Sequence, residues 1–259
     1  MEATISCILI VKNEERNIAE CLNSLAWADE IVVVDSDSSD RTEEICVSYP
    51  RVTFHECPWT GFGPQKNQAL ALATGEWVFS IDADERVTPE LAQEICSVVQ
   101  NPDYDAYWVK RKNLYRGVWV RHSGWWPDEV IRLFRRGVAH FSDRIVHESV
   151  LFEGEAGILA NPLEHHSYAA VGDFIGRVDR YSTLGAQLLH ERGNKAGLVK
   201  VIGRTIYSFF RSYIIKMGFL DGRVGLLVAF SSAEVTFYKY MKLAEMDVLP
   251  PTEESAANG

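Results

Sequence analysis

Two aspartates flank one alanine at Asp82-Ala83-Asp84, closing the segment WVFSID. Paired carboxylates at the end of a buried strand suit a hard divalent cation that keeps some waters and bridges a diphosphate. The plainer alternative is an acidic turn leading into the helix that Pro89 opens. A second acid, Asp35, closes the run IVVV and precedes the polar stretch SDSSD. A carboxylate there can accept the imide N–H of a uracil or hold a ribose hydroxyl. Between the two in chain order, Gln65-Lys66-Asn67 follows the turn GFGP. A lysine near a helix start can meet a phosphate while the helix N-terminus adds its partial positive charge; a solvated helix residue is the rival reading of Lys66. That turn lacks the third glycine of a dinucleotide-binding loop, and no GxxxxGK[ST] occurs, so a Rossmann dehydrogenase or a P-loop NTPase is poorly supported.

Strands and helices alternate through the part of the chain that must position these groups. The continuous apolar run ISCILIV (5–11) reads as a strand buried on both faces. Asn13 is placed to cap a helix with Glu14 and Glu15 in its first turn and an inward stripe of Ile18, Cys21, Leu22 and Leu25. Residues 31–35 form the second strand, with a helix near 41–48, and VTFH (52–55) forms the third. The segment 61–75 is a loop entering a helix that Gly75 ends, 77–82 is the fourth strand, and a helix runs from Pro89 to about 100. Such alternation implies an α/β fold with a doubly wound, parallel sheet and right-handed crossovers. Ligands then bind beyond the carboxyl ends of the strands, which here carry Lys12-Asn13, Asp35 and Asp82-Ala83-Asp84.

Composition narrows the function classes. The 259 residues are 47% apolar and 24% charged, which excludes wholesale disorder. A net charge of −10 (26 basic, 36 acidic) argues against a general nucleic-acid binder. Residues 1–105 hold 6 basic and 20 acidic side chains (−14), residues 106–165 hold 9 and 7 (+2), and residues 166–249 hold 11 and 7 (+4). An acidic first half and a basic second half point to two tasks. Five cysteines without CxxC spacing fit a reducing compartment. The acidic N-terminus does not read as a signal peptide, and the apolar stretch 224–233 is far below the ~20 residues that span a bilayer. A cytoplasmic protein is expected.

Three segments carry a family resemblance: ISCILIVKNEERNIAECLNSL, EIVVVDSDSSDRTEEI and GFGPQKNQALALATGEWVFSIDADERV. Their order and spacing over residues 4–90 resemble the nucleotide-sugar motifs of glycosyltransferase family 2. The resemblance implies a GT-A fold, a nucleoside-diphosphate sugar donor, Mg²⁺ or Mn²⁺ as cofactor, and inversion at the anomeric centre. It places Lys12, Asn13 and Asp35 at the donor nucleotide, with Asp35 on the uridine. Lys66 falls near the donor, and Asp82 and Asp84 on metal and diphosphate. WWPDEVIRLFRRGVAHFSDRIVHESV and RSYIIKMGFLDGRVGLLVAFSSAEVTFYKYMKL resemble the lipopolysaccharide inner-core branch that adds β-1,4-glucose to heptose.

Inversion by direct displacement needs a general base for the acceptor hydroxyl. Family 2 usually supplies it as an acid after the DxD, and Asp128-Glu129 is the candidate pair, Asp128 favoured. A surface turn is the alternative. This segment departs from the commoner Glu-Asp pattern, which leaves the choice between the two neighbours open. His147 can complete the metal shell or stabilise the departing diphosphate, although isolated histidines are more often structural. His165-His166 has weaker support, and Trp125 and Trp126 can stack on sugar or in a core.

In the stretch 198–217, helical spacing sets Lys200, Arg204 and Arg211 on one face and Ile202, Ile206, Phe209 and Tyr213 on the other. Such a helix can lie in an anionic membrane interface, or pack on the catalytic domain with its basic face in water. The expected organisation is a GT-A catalytic domain over 1–165 (nucleotide-sugar half 1–100, acceptor half 101–165), a helical membrane-peripheral extension over 166–249, and a disordered tail over 250–259. The expected activity transfers a hexose, glucose from UDP-glucose, to a heptose of the lipopolysaccharide core at the inner face of the bacterial inner membrane. The alternatives are a family 2 transferase acting on another lipid-linked or protein acceptor, a metal-dependent nucleotidyltransferase, and a non-catalytic sugar-binding module. A nucleotidyltransferase would show a glycine-rich N-terminal loop, and KNEERN has no glycine. A binding module would not need both DxD acids and a further acid downstream.

Overall fold

The structure, a computed structural model, describes residues 2–142 and 149–246. The chain divides into two compact units, one built from Met1–Asn113 with Pro127–Ser167, the other from Leu114–Trp126 with the segment from Tyr168 onward. The second unit thus takes in residues 114–126, which lie in the expected acceptor half of the sequence.

In the first unit, β1 (Ile5–Val11), α1 (Ile18–Ser24), β2 (Glu30–Asp35), α2 (Thr42–Val47), β3 (Val52–Glu56), α3 (Phe62–Leu72) and β4 (Trp77–Ser80) alternate as the patterns predict. After them come β5 (Glu85–Val87), α4 (Pro89–Gln100), β6 (Ala106–Tyr115), β7 (Val118–Trp119, which falls in the second unit), β8 (Asp128–Arg135), β9 (Ala139–Phe141), β10 (Val150–Phe152), β11 (Gly157–Ile158) and β12 (Leu163–Tyr168). The main sheet runs β3-β2-β1-β4-β8-β6-β12-β5. Its first four strands are parallel, and β8 joins antiparallel to both β4 and β6. A mixed α/β fold with a mostly parallel central sheet and C-terminal helices is therefore established.

The apolar strands are buried on both faces, as their continuous runs require. Cys7, Leu9 and Val11 of β1 pack in one core with Ile18, Leu22 and Leu91, while Ile8 packs on the opposite face with Val34, Val78 and Ala69. The stripe Ile18, Cys21, Leu22 and Leu25 is fully inward, and Thr88 caps α4 by accepting the Leu91 N–H at 3.2 Å. All five cysteines are free thiols, and burial pushes the Cys46 thiol up to about 12.

Two local expectations are corrected. Asn13 does not cap α1, whose N-cap is Asn17. It adopts φ 55°, accepts the Ser39 N–H with its Oδ1 at 2.8 Å, and donates its own N–H to Ser38 Oγ at 2.8 Å. An asparagine tolerates this left-handed backbone, and here it stitches the β1–α1 loop to the β2–α2 loop. Gly75 lies beyond the end of α3 at Leu72. It is needed because its backbone crowds β1: a Cβ would fall 2.7 Å from Ser6 N.

The second unit holds α5 (Val171–Glu191), α6 (Leu198–Phe210) and α7 (Gly222–Met246). The stretch 198–217 is not one continuous α-helix: α6 passes into a π-helical turn at Arg211–Ile215, and Met217 turns left-handed at φ 53°. Segment 114–126 joins this unit through aromatic packing. Trp125 stacks on Tyr168 at 5.3 Å between centroids, and Tyr168 stacks on Phe174 at 4.0 Å. Those contacts give Trp125 a core role, while Trp126 meets Trp119 edge-on at 5.1 Å. Among the described residues, no helix is long and apolar enough to cross a membrane.

Candidate active site

The DxD segment leaves β4 as a tight turn in which the Glu85 N–H donates to Asp82 O at 2.9 Å. Arg86 braces it by donating to Ala83 O at 2.7 Å and Asn17 O at 2.9 Å. On the far side, the His166 N–H donates to Asp84 O at 2.8 Å, anchoring the turn to β12. The carboxylates are thus set by backbone on three elements.

Neither DxD carboxylate stands alone. Asp82 Oδ1 lies 3.1 Å from Lys66 Nζ, and Asp82 Oδ2 lies 2.5 Å from Arg132 Nη2. Against the cost of burial, the Arg132 and Lys66 charges hold the Asp82 carboxyl well below the usual carboxylate range. Arg132 Nη2 also donates to Glu85 Oε1 at 2.5 Å, and Glu85 is fully buried. From Glu85 the network passes to Arg111 at 3.5 Å and on to Asp128, which Arg111 Nη2 meets at 2.8 Å. Asn113 Nδ2 donates to the same Asp128 oxygen at 3.1 Å. The loop closes through His165, whose Nδ1 is 2.6 Å from Asn113 Oδ1 and whose Nε2 is 3.3 Å from Asp84 Oδ2. Two DxD aspartates and the favoured base therefore belong to one polar network.

The strand pleat separates the candidate bases. Asp128 and Arg132 lie on one face of β8, and Glu129, one residue on, is exposed. Among the described residues, the donors to Asp128 converge on Oδ2, the Arg111 Nε–H included at 2.9 Å. That arrangement fixes the orientation of the carboxylate.

The other candidate residues are placed as follows. Asp35 ends β2 as expected, is buried, and turns its carboxylate onto its own loop, accepting the Ser38 N–H at 2.8 Å and Ser38 Oγ at 2.5 Å. Lys12 is exposed beside Asn13. Lys66 is buried in α3 and directed at Asp82. Next to it, Asn67 clamps β9 by donating to Phe141 O at 2.9 Å and accepting the Phe141 N–H at 2.8 Å. His147 and the tail from Pro250 lie outside the described residues.

Sequence reasoning missed Arg132, Glu85, Arg111 and Asn113. A signal was present for the first. Arginine interrupting the buried run Ile131–Phe134 demands an acid nearby, because such charges are almost never fully buried unless paired. Glu14 was also missed as a site neighbour. Burial raises its carboxyl above the usual range, the Asn17 amide pulls it back, and the Asp84 charge adds to the rise.

The acid–base count tests whether a divalent cation fits. Among the described residues of this network, Asp82, Asp84, Glu85 and Asp128 contribute four negative charges, and Lys66, Arg111 and Arg132 contribute three positive ones. No group of three or more His, Cys, Asp or Glu side chains forms a ready cage among the described residues. This donor set suits a cation held by one or two protein ligands and completed by a diphosphate, the habit of Mg²⁺.

A family model, "Glycosyl transferase family 2", matches residues 6–152. The chain belongs to glycosyltransferase family 2. An uncharacterized glycosyltransferase of Rickettsia bellii is 30% identical, over 94% of this chain and 87% of its own length. The lipopolysaccharide core biosynthesis glycosyltransferase LpsC of Rhizobium meliloti is 29% identical, over 94% of this chain and 96% of its own. The crystal structure of S. aureus TarS in complex with UDP is 17% identical over 93% of this chain and 90% of that one, with a TM-score of 0.48.

Proposed function

We propose that this family 2 enzyme is a metal-dependent, inverting hexosyltransferase that moves glucose from UDP-glucose to a heptose of the lipopolysaccharide inner core, working at an anionic membrane surface. One observation carries the reading: Asp82, Asp84 and Asp128 share a single network of ion pairs and hydrogen bonds. Likeness to LpsC along nearly its whole length supports the core acceptor, and the glucose donor follows from the sequence resemblance.

In this mechanism Asp128 takes the proton of the acceptor hydroxyl on Oδ1 as that oxygen attacks the anomeric carbon. Arg111 and Asn113 hold the carboxylate in the attacking orientation. Asp84, with His165 beside it, would hold the divalent cation, which supplies charge stabilisation to the leaving diphosphate. Asp82 acts one step back, fixing Lys66 and Arg132 so that two buried cations stand at the donor end. Asp35 and Asn13 shape the loops at the nucleotide end, two of whose residues, Asn13 and Asp37, hold positive φ.

The test is a donor screen that follows UDP release with and without delipidated core oligosaccharide, in Mg²⁺, Mn²⁺ and chelator. Asp84→Ala should abolish metal-dependent turnover while circular dichroism stays unchanged, because Asp84 sits at a partly exposed turn and not in the core. Full turnover by a folded Asp84→Ala protein would overturn the metal assignment, and transfer from another donor would overturn UDP-glucose.

A further inference from the structure

The second unit presents its apolar side chains to water. On α6, Val199 is 88% and Ile206 65% exposed; on α7, Phe230 is 55% exposed. What α6 does bury is Val201, while Ser208 Oγ donates to Ser232 O of α7 at 3.0 Å. The packed face is therefore narrow, and the wide apolar face of α6 points outward. Contiguous exposed apolar surface of this kind marks an interaction site.

That surface is indented. Ile206 and Phe209 of α6 and Phe230, Ala233 and Phe237 of α7 line a groove of about 430 Å³, in which Phe209 meets Phe230 edge-on at 5.0 Å between centroids, a volume within the usual range of ligand pockets. Glu234 also lines the groove and is itself exposed, so its carboxylate disfavours an anion there while keeping its own contact with water. On the opposite flank of α6, Lys200, Arg204 and Tyr207 line a second hollow of about 390 Å³. Residues Arg192–Leu220 carry six basic side chains and no acidic one.

Charge complementarity selects the occupant. A helix with one apolar and one basic flank matches a surface that offers hydrocarbon beneath fixed negative charge, which is an anionic bilayer. The ten residues from Pro250 contain no aromatic or branched apolar side chain to fill the groove. We propose that the groove between α6 and α7 holds one acyl chain of an anionic membrane phospholipid, while Lys200 and Arg204 hold phosphate at the headgroup level. The proposal rests on the reading of this chain as an enzyme with a membrane-borne acceptor, and makes the bilayer lipid itself a ligand.

The experiment uses the full chain on vesicles of phosphatidylcholine with phosphatidylglycerol carrying a diazirine near its acyl terminus. After illumination, mass spectrometry should find the label on α6 and α7 peptides containing Ile206, Phe209, Phe230 or Phe237. Phe230→Asp and Ile206→Asp, both at exposed positions, should each weaken vesicle binding by roughly tenfold or more. Transfer to delipidated core oligosaccharide should stay at the wild-type rate, which reports separately on the glycosyltransferase reading. Label confined to other peptides, with vesicle binding intact, would overturn the groove assignment and leave membrane association standing. Absence of vesicle binding by the wild-type chain would overturn both. A concentration-dependent dimer that Phe230→Asp dissociates, without change in vesicle binding, would assign the groove to a second copy and overturn the lipid.

Discussion

Asp128 is the residue on which the proposed chemistry turns, and its surroundings make a sharp expectation. Removing the carboxylate's charge while keeping its shape, as Asp128→Asn does, should lower kcat by roughly 10²–10⁴-fold with little change in donor affinity, the usual share of a general base. Glu129→Gln should be mild, because that side chain is exposed and takes no part in the Arg111–Asn113 contacts. A dead Glu129→Gln enzyme beside an active Asp128→Asn enzyme would move the base to the neighbour. Sequence alone singled out Asp82 and Asp84 as acids at the end of a strand, and Asp128 through the family pattern of an acid after the DxD. Arg111, Asn113 and Arg132 stayed hidden, since their role depends on β6 and β8 pairing beside β4, a non-local register that no spacing along the chain encodes.

At the scale of elements, β1, β2 and β4 were legible because each carries an unbroken apolar run, whereas loop stitching was not. The Glu30 cluster shows why. Its Oε2 accepts Ser6 Oγ at 2.5 Å and the Thr74 N–H at 2.8 Å, while Ser6 Oγ accepts the Gly75 N–H at 2.8 Å. Three distant segments thus converge on one carboxylate. Against partial burial, the Ser6 and Thr74 hydrogen bonds hold the Glu30 carboxyl below its ordinary range. A depressed carboxyl binds fewer protons folded than unfolded, so its stabilisation is complete above the ordinary carboxylate range and is lost as pH falls through the folded value. Glu30→Gln should therefore cost about 1–2 kcal/mol at pH 7, with the gap from wild type closing in denaturant melts as pH drops below about 4. A gap that stays constant as pH falls through the carboxylate range would mean that packing, not charge, holds this junction.

Over the whole molecule, charge is the organising feature. Residues 1–105 sum to −14 and residues 166–249 to +4, so an anionic surface repels the nucleotide-sugar half and attracts the helical unit. Within that unit the basic side chains differ in freedom. Lys200 Nζ already donates to Lys195 O at 2.6 Å and lies 5.7 Å from the Tyr240 ring, whereas Arg204 and Arg211 are exposed. Replacing Lys200, Arg204 and Arg211 together with Gln removes three charges worth about 1 kcal/mol each near such a surface, on the order of a 10²-fold loss of vesicle affinity. Raising salt should release the wild-type protein in the same way, since the Debye length falls to roughly 3 Å at 1 M. Transfer to a soluble core oligosaccharide should survive the triple change, because none of the three residues belongs to the network around Asp82, Asp84 and Asp128. Transfer to lipopolysaccharide in membranes should fall, because only there must the enzyme first reach a charged surface. The two effects belong together: a folded triple variant that holds anionic vesicles as tightly as wild type, in low salt and high, would remove charge as the attractive force and leave the apolar face of α6 and α7 to account for binding alone.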